Sequence, residues 1–155
     1  MILKGRNAVV TGANQGLGFA IAMGFVREGA NLVICARDRG RLEDAARELR
    51  TAAGDGQVIV AKPADVAVER DVTAVAEAAF STFPQIHILV NNAGIYGPKG
   101  RIEDNDWDEW KRAMEINIYG SVLFCRHIVP HMRSRGYGKI IQLSGGGATA
   151  PLPNL

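Results

Sequence analysis

The sequence predicts an α/β fold: a doubly wound parallel sheet in a three-layer αβα arrangement. Short β-branched runs alternate with stretches of helical apolar periodicity, and a glycine-rich turn joins the first run to the first helix. Strict alternation requires parallel strands joined by right-handed crossovers, which places helices on both faces of the sheet. In such a sheet a ligand lies beyond the carboxyl ends of the strands, where the strand order reverses.

The elements follow in order. Strands are predicted at residues 8–10, 32–35, 58–61, 86–90 and 139–143. Leu17, Ala20, Ile21, Gly24 and Phe25 give the first helix its apolar face. Leu42, Ala45, Ala46 and Leu49 do so for the second, and Val72, Val75, Ala76, Ala79 and Phe80 for the third. Gly29 and Gly54 stand after the first and second helices, where a C-terminal cap takes a residue that tolerates the left-handed conformation. Asp104 and Asp106 are candidate caps for a long fourth helix, and Asp108 and Glu109 place negative charge in its first turn. That acidic cluster reads as a solvated helix start rather than a metal site. Pro130, near the end of the fourth helical pattern, is expected to kink or terminate it.

With 155 residues, 47% of them hydrophobic and 22% charged, the chain has the composition of one globular domain, residues 1–155. The net charge of +2 is spread along the chain, which gives no reason to expect a nucleic-acid partner. No stretch approaches a membrane span and the first residues lack a signal-peptide pattern, so the expected location is cytoplasmic. Cys35 and Cys125 lie singly in apolar stretches and are expected to be buried free thiols in a reducing compartment. His127 and His131 are four residues apart, but no third ligand accompanies them. They read as helix-end cations or packing residues, and no metal site is expected.

The chemistry begins at Thr11-Gly12-Ala13-Asn14-Gln15-Gly16-Leu17-Gly18. Glycines between a strand and a helix let the backbone turn tightly and bring N–H groups near an anion, and the helix start adds a positive dipole end. Taken alone, such a turn serves as a structural loop or as the cradle of another ligand. Its spacing is distinctive, because three residues separate the first two glycines where the common dinucleotide fingerprint has one. This Thr-Gly-x-x-x-Gly-x-Gly turn resembles the cofactor loop of the short-chain dehydrogenases/reductases, whose fold is Rossmann-type. Asn91-Asn92-Ala93-Gly94 after the fourth strand resembles a second landmark of that family. Ala93 and Gly94 leave room for a ligand at the strand end, while the Asn91 amide is expected to bond neighbouring backbone.

The resemblance implies a cofactor, NADP or NAD, held by Gly12, Asn14, Gln15, Gly16, Leu17, Gly18, Arg37, Asp65, Val66, Asn92, Ala93 and Gly94. Asp65-Val66 resembles the family's pair at the adenine pocket; on its own, Asp65 reads more often as a helix cap, and its place after a strand's carboxyl end favours the pocket. Cofactor choice falls after the second strand, where an acidic residue would bond the ribose hydroxyls of NAD. Ala36 stands there, followed by Arg37, whose planar fork suits phosphate, so NADP is the preferred cofactor. Asp38 argues against this, as does Gln15, where NADP-dependent members often carry a base.

The implied activity is hydride transfer between nicotinamide and a small-molecule carbonyl or alcohol. Asn117, on the fourth helix, matches the asparagine of the family's catalytic tetrad, and Ser144 the serine that binds the substrate oxygen. Many members have two serines in succession with the second catalytic, whereas Ser144 precedes Gly145. Two roles remain for Ser144: oxyanion donor after a small shift, or backbone support for the nicotinamide. The family's Tyr-x-x-x-Lys is missing, since Tyr96, Tyr119 and Tyr137 have Gly100, Leu123 and Ile141 four residues on.

The chain is therefore expected to be a fragment, truncated after the fifth strand, of a protein that forms a homo-oligomer at full length. A non-catalytic dinucleotide-binding module, sensor or scaffold, is the alternative. A methyltransferase with a similar glycine loop would leave Asn91 to Gly94 and Asn117 unexplained.

Overall fold

The computed structural model describes residues 1–145. Its elements are β1 (Asn7–Thr11), α1 (Gly16–Arg27), β2 (Asn31–Ala36), α2 (Arg39–Ala52), β3 (Ile59–Pro63), α3 (Glu69–Thr82), β4 (Ile88–Asn91), α4 (Trp107–Met114), α5 (Gly120–Ser134) and β5 (Lys139–Gln142). A 3-10 turn at Ile102–Asp104 precedes α4, and a π-helical turn at Glu115–Tyr119 joins α4 to α5. All pairings are parallel and the strand order is β3-β2-β1-β4-β5. From β1 the chain builds outward through β2 and β3, then returns to place β4 on the other side. The order therefore reverses between β1 and β4, as a doubly wound sheet requires.

Strand periodicity divides the core. In β1, Ala8 and Val10 face one layer while Val9 faces the other; in β2, Leu32 and Ile34 oppose Val33 and Cys35. The first set packs on Ala22 and Val26 of α1 and on Leu42, Ala46 and Leu49 of α2. The second set packs on Val72, Val75 and Ala79 of α3 and on Phe124, Ile128 and Met132 of α5. The four-residue spacing of Phe124, Ile128 and Met132 puts them on one helical face. Gly120 begins the same row, and a Cβ there would stand 2.8 Å from Val66 Cγ2, so its bareness lets α5 reach the loop after β3.

Local outcomes correct several expectations. Gly29 follows the capping residue Glu28 with φ 87°, as anticipated. After α2 the left-handed residue is Gly56, with φ 80°, rather than Gly54, whose N–H donates to Gln57 Oε1 at 2.7 Å. Asp106, not Asp104, caps α4, accepting from Glu109 N at 2.9 Å. Pro130 does not end α5, which runs on to Ser134 because Ile128 and Met132 anchor the helix on either side of the exposed proline. The break in the long helix falls instead at residues 115–119, where Gly120 N–H reaches Glu115 O in an i→i+5 bond. Cys35 is fully buried, but Cys125 is only half-buried, with Asn91 Nδ2 3.6 Å from its Sγ.

Candidate functional site

The carboxyl ends of β1, β2, β3 and β4 open into a cleft of about 770 Å³. Gly12, Asn14, Gln15, Gly16, Leu17 and Gly18 form one wall. Ala36, Arg37, Asp38 and Arg41 border it after β2, Ala64, Asp65 and Val66 after β3, and Asn92, Ala93, Gly94 and Ile95 after β4. All twelve residues expected from sequence to hold the cofactor line this one cleft.

The glycine turn is built from different constraints at each position. Gly12 and Gly16 have φ of 64° and 57°, a region that an L side chain adopts only with strain. Gly18 has ordinary backbone, but a Cβ there would run into Gly12 O and Asn92 Nδ2. Gly18 thus lets α1 start against the strand end. The N-cap residue Gln15 makes no side-chain capping bond, and the first turn of α1 holds no acidic residue. The amide-rich start of α1 therefore faces the cleft without an internal anion, unlike α2 and α4, which Asp38 and Asp106 cap.

Asn92, rather than Asn91, braces this wall. Its Nδ2 donates to Thr11 O at 2.9 Å and to Gly12 O at 3.2 Å. Thr11 Oγ1 accepts from the N–H groups of both Asn92 and Ala93 at 3.0 Å. Asn91 instead lies within β4, 2% exposed, and its Oδ1 has no hydrogen-bond partner among the described residues. The reason is strand alternation: consecutive residues point to opposite faces, so the first asparagine turns inward and the second toward the glycine loop.

On the β3 side, Asp65 is both pocket wall and turn former. Its Oδ1 accepts from Ala67 N at 3.0 Å, while its Oδ2 is paired with Arg112 of α4. Arg112 also donates to Glu115 Oε2 at 3.1 Å, and these carboxylates raise its already high pKa, the Glu115 bond first. This arginine joins α4 to the cleft wall, and sequence reading gave no hint of it because its partner lies 47 positions away.

Asn117 sits in the π-helical turn and makes a two-point contact with the loop after β4. Its Oδ1 accepts from Ile95 N at 2.9 Å, and its Nδ2 donates to Ile95 O at 2.8 Å. The wider turn carries Asn117 toward the cleft rim, its Oδ1 lying 3.3 Å from where a Gly94 Cβ would stand. Ser144 is exposed two residues beyond β5 and does not line the cleft. It lies at the same end of the sheet, since Gln142 is in register with Asn91 and Leu143 N donates to Asn91 O at 3.0 Å.

The most informative residue that sequence reading missed is Arg41. Placed in the first turn of α2, it donates from Nη1 to Gln15 Oε1 at 2.8 Å and its backbone N–H donates to the Asp38 cap at 3.0 Å. The thiol of Cys35 beneath this region is inert, since burial pushes its pKa up to about 12.

Sheet order, reversal point and glycine turn define the class, a Rossmann-type α/β protein. A family model described as short chain dehydrogenase matches residues 6–155, and the chain belongs to that family. It is 37% identical over 155 residues to 3beta-hydroxysteroid dehydrogenase 1 of Eggerthella lenta, covering 98% of this chain and 58% of that protein. It superposes on the L-sorbose reductase of Gluconobacter frateurii, solved with NADPH and L-sorbose, with a TM-score of 0.90 at 39% identity. That match covers 98% of this chain and 57% of the reductase. An NAD+-bound xylitol dehydrogenase superposes with a TM-score of 0.93 at 26% identity, over 99% of this chain and 58% of that one. The chain thus spans little more than half the length of these proteins.

Proposed function

We propose that residues 1–155 are the dinucleotide-binding domain of an NAD(P)-dependent oxidoreductase acting on a small carbonyl or alcohol. The observation that carries this is the cleft at the β1/β4 reversal, whose glycine wall has no room for a Cβ at Gly12 or Gly18. Such a bare, amide-rich wall at a helix start fits a pyrophosphate. In this reading Gly12, Asn14, Gln15, Gly16, Leu17 and Gly18 hold the pyrophosphate, Asp65 and Val66 border the adenine, and Asn92, Ala93 and Gly94 border the nicotinamide ribose. The bound dinucleotide would supply or accept the hydride. Arg37, exposed at the cleft beside Ala36, supports NADP over NAD. Asn117 would position the Ile95 loop and hold solvent near the reacting end, and Ser144 would serve the substrate oxygen.

Titration of the 155-residue chain with NADPH and NADH, followed by nicotinamide fluorescence, tests this reading. Micromolar binding of either supports it; no binding of both overturns it. One observation favours the non-catalytic alternative for this stretch of chain: none of its tyrosines begins a Tyr-x-x-x-Lys, so no proton donor of the family's kind is at hand. Binding without turnover is therefore the expected result, and turnover by a longer natural chain separates oxidoreductase from sensor.

Self-association and a cytoplasmic setting belong to the same proposal. Trp107, Met114, Ile118 and Val122 are exposed along α4, the π-turn and α5, which supports a homo-oligomer through these helices. Two free thiols accord with a reducing compartment. Among the described residues no helix is long and apolar enough to cross a membrane.

A further inference from the structure

We propose that the amino-terminal end of the sheet, around Tyr137, is a docking surface for a short acidic segment of a partner protein. It lies at the opposite end of the strands from the cleft and does not depend on the dinucleotide reading.

The net charge of +2 is dispersed along the sequence, but the fold gathers part of it. Parallel strands are all entered from one end, and β1, β4 and β5 are neighbours, so residues 1–6, 83–87 and 133–138 come together there. Two strand spacings separate β1 from β5, about 10 Å. At this end stand Lys4, Arg6, Arg133, Arg135 and Lys139, all exposed. None of the five has an ion-pair partner among the described residues.

No carboxylate occurs in residues 1–6, 83–87 or 133–139. Glu28, which the amino-terminal segment touches, is occupied: its Oε2 accepts from Ile2 N at 2.8 Å and stands 3.7 Å from the terminal ammonium. Contacts fix the centre of the surface. Arg6 lies 4.9 Å from the centroid of the Tyr137 ring, His87 meets that ring edge-on at 5.9 Å, and Lys139 N–H donates to His87 O at 2.9 Å. Stacking thus holds Arg6 in place while leaving it exposed, and a guanidinium fork takes a carboxylate in two bonds.

The negative carboxyl-terminal end of α5 accounts for Arg133 and for Arg135 beside it, but not for Lys4, Arg6 or Lys139. Like charges gathered over a distance comparable to the Debye length, about 8 Å at physiological salt, repel one another. An arriving carboxylate relieves that repulsion. A short acidic segment fits this end better than a nucleic acid does. The patch is only three strands wide, and acidic residues elsewhere, among them Glu103, Asp104, Asp106, Asp108 and Glu109, would repel a long polyanion.

The test is fluorescence anisotropy of a short labelled Glu/Asp peptide titrated with the 155-residue chain, beside its Gln/Asn counterpart and a single-stranded oligonucleotide of equal charge. Saturable binding of the acidic peptide that weakens with salt is expected, with none of the Gln/Asn peptide. Arg6→Glu combined with Arg135→Glu should weaken it about tenfold or more, and Lys4→Gln combined with Lys139→Gln by a smaller factor. Arg70→Glu combined with Arg101→Glu makes the same charge change at exposed sites near the other end of the sheet, and should leave the affinity within about twofold. Thermal unfolding reports whether each variant is folded. If the Arg6 variant is not, the Lys4 and Lys139 pair decides, and an unchanged affinity there overturns the surface. Equal losses from the two charge-reversed pairs overturn it as well, as does a parent chain that does not bind the acidic peptide. Tighter binding of the oligonucleotide than of the peptide overturns the class of partner.

Discussion

The two ends of the sheet solve opposite problems. At the carboxyl end, Gly12, Gly18, Thr11 and Asn92 satisfy one another so that a bare backbone wall faces open space. At the amino end, side chains close the sheet off. Asn7 N–H donates to His87 Nδ1 at 3.0 Å and Ile86 N–H donates to His131 Nε2 at 3.3 Å. His131 stacks on Phe80 with ring centroids 4.5 Å apart, and Tyr137 lies edge-on to His87 with Arg6 over its ring. Both imidazoles act as neutral acceptors, which removes one of the roles expected for His131, that of a helix-end cation. The difference teaches that strand ends need polar partners at both edges. Only where the partners are backbone and small residues does room for a ligand remain.

The comparison can be broken most severely at Gly18. A Gly18→Val chain forces a side chain into Gly12 O and the Asn92 amide, so about 1–3 kcal/mol of stability should be lost together with nucleotide binding. Urea unfolding and NADPH titration of the same variant check the two effects, and retained binding would mean that the wall is not where the ligand rests.

Next in size is Asn92→Ala, which removes the donor to Thr11 O and Gly12 O. About 1–2 kcal/mol should be lost in denaturant unfolding. The corresponding Asn91→Ala change should weaken nucleotide binding less, since Asn91 points into the core. Equal effects on binding would contradict the division of labour between the two asparagines.

At the amino end the probe is pH. Burial first and the charge of Arg6 second hold the His87 pKa below 6.5; burial and then Arg135 do the same for His131. An unfolded histidine therefore binds a proton more readily than either folded one. The stability these groups contribute is complete above about pH 6.5 and is lost as pH falls through that value toward the depressed folded pKa. Thermal unfolding should show a falling Tm from about pH 7.5 to about pH 5.5. A His87→Asn, His131→Gln double variant should flatten that slope, and an unaltered slope would assign the acid sensitivity elsewhere.

The smallest effect is expected at Arg112→Ala, which frees Asp65 and Glu115 at a half-exposed site. The loss should be about 0–1 kcal/mol, reduced further by salt, because solvent screens the pairs. A loss several times larger, measured by urea unfolding, would show that the link from α4 to the cleft wall is structural.

Much of this was legible in the residues. The short apolar run Ala8, Val9 and Val10 marked a buried strand, and the spacing of Gly12, Gly16 and Gly18 marked the cleft wall, because backbone constraints act locally. Less legible were the helix break at Asn117, whose residues have ordinary helical character, and the continuation past Pro130, which local propensity argues against. Both were settled by what lies opposite: Ile95 for Asn117, the core for Ile128 and Met132.

By itself the sequence determined the alternation of strands and helices, and so the layered α/β class, because these follow from pattern. The twelve cofactor-side residues came from the resemblance carried by the glycine turn and by Asn91 to Gly94, and the reversal between β1 and β4 came from the strand order. Only the tertiary structure decided which asparagine of the pair braces Gly12, that Arg112 closes on Asp65, and that Gln15 receives Arg41. Those are contacts that a side chain makes with a group 26 to 81 positions away. Their geometry depends on how the elements pack, and no local pattern encodes it.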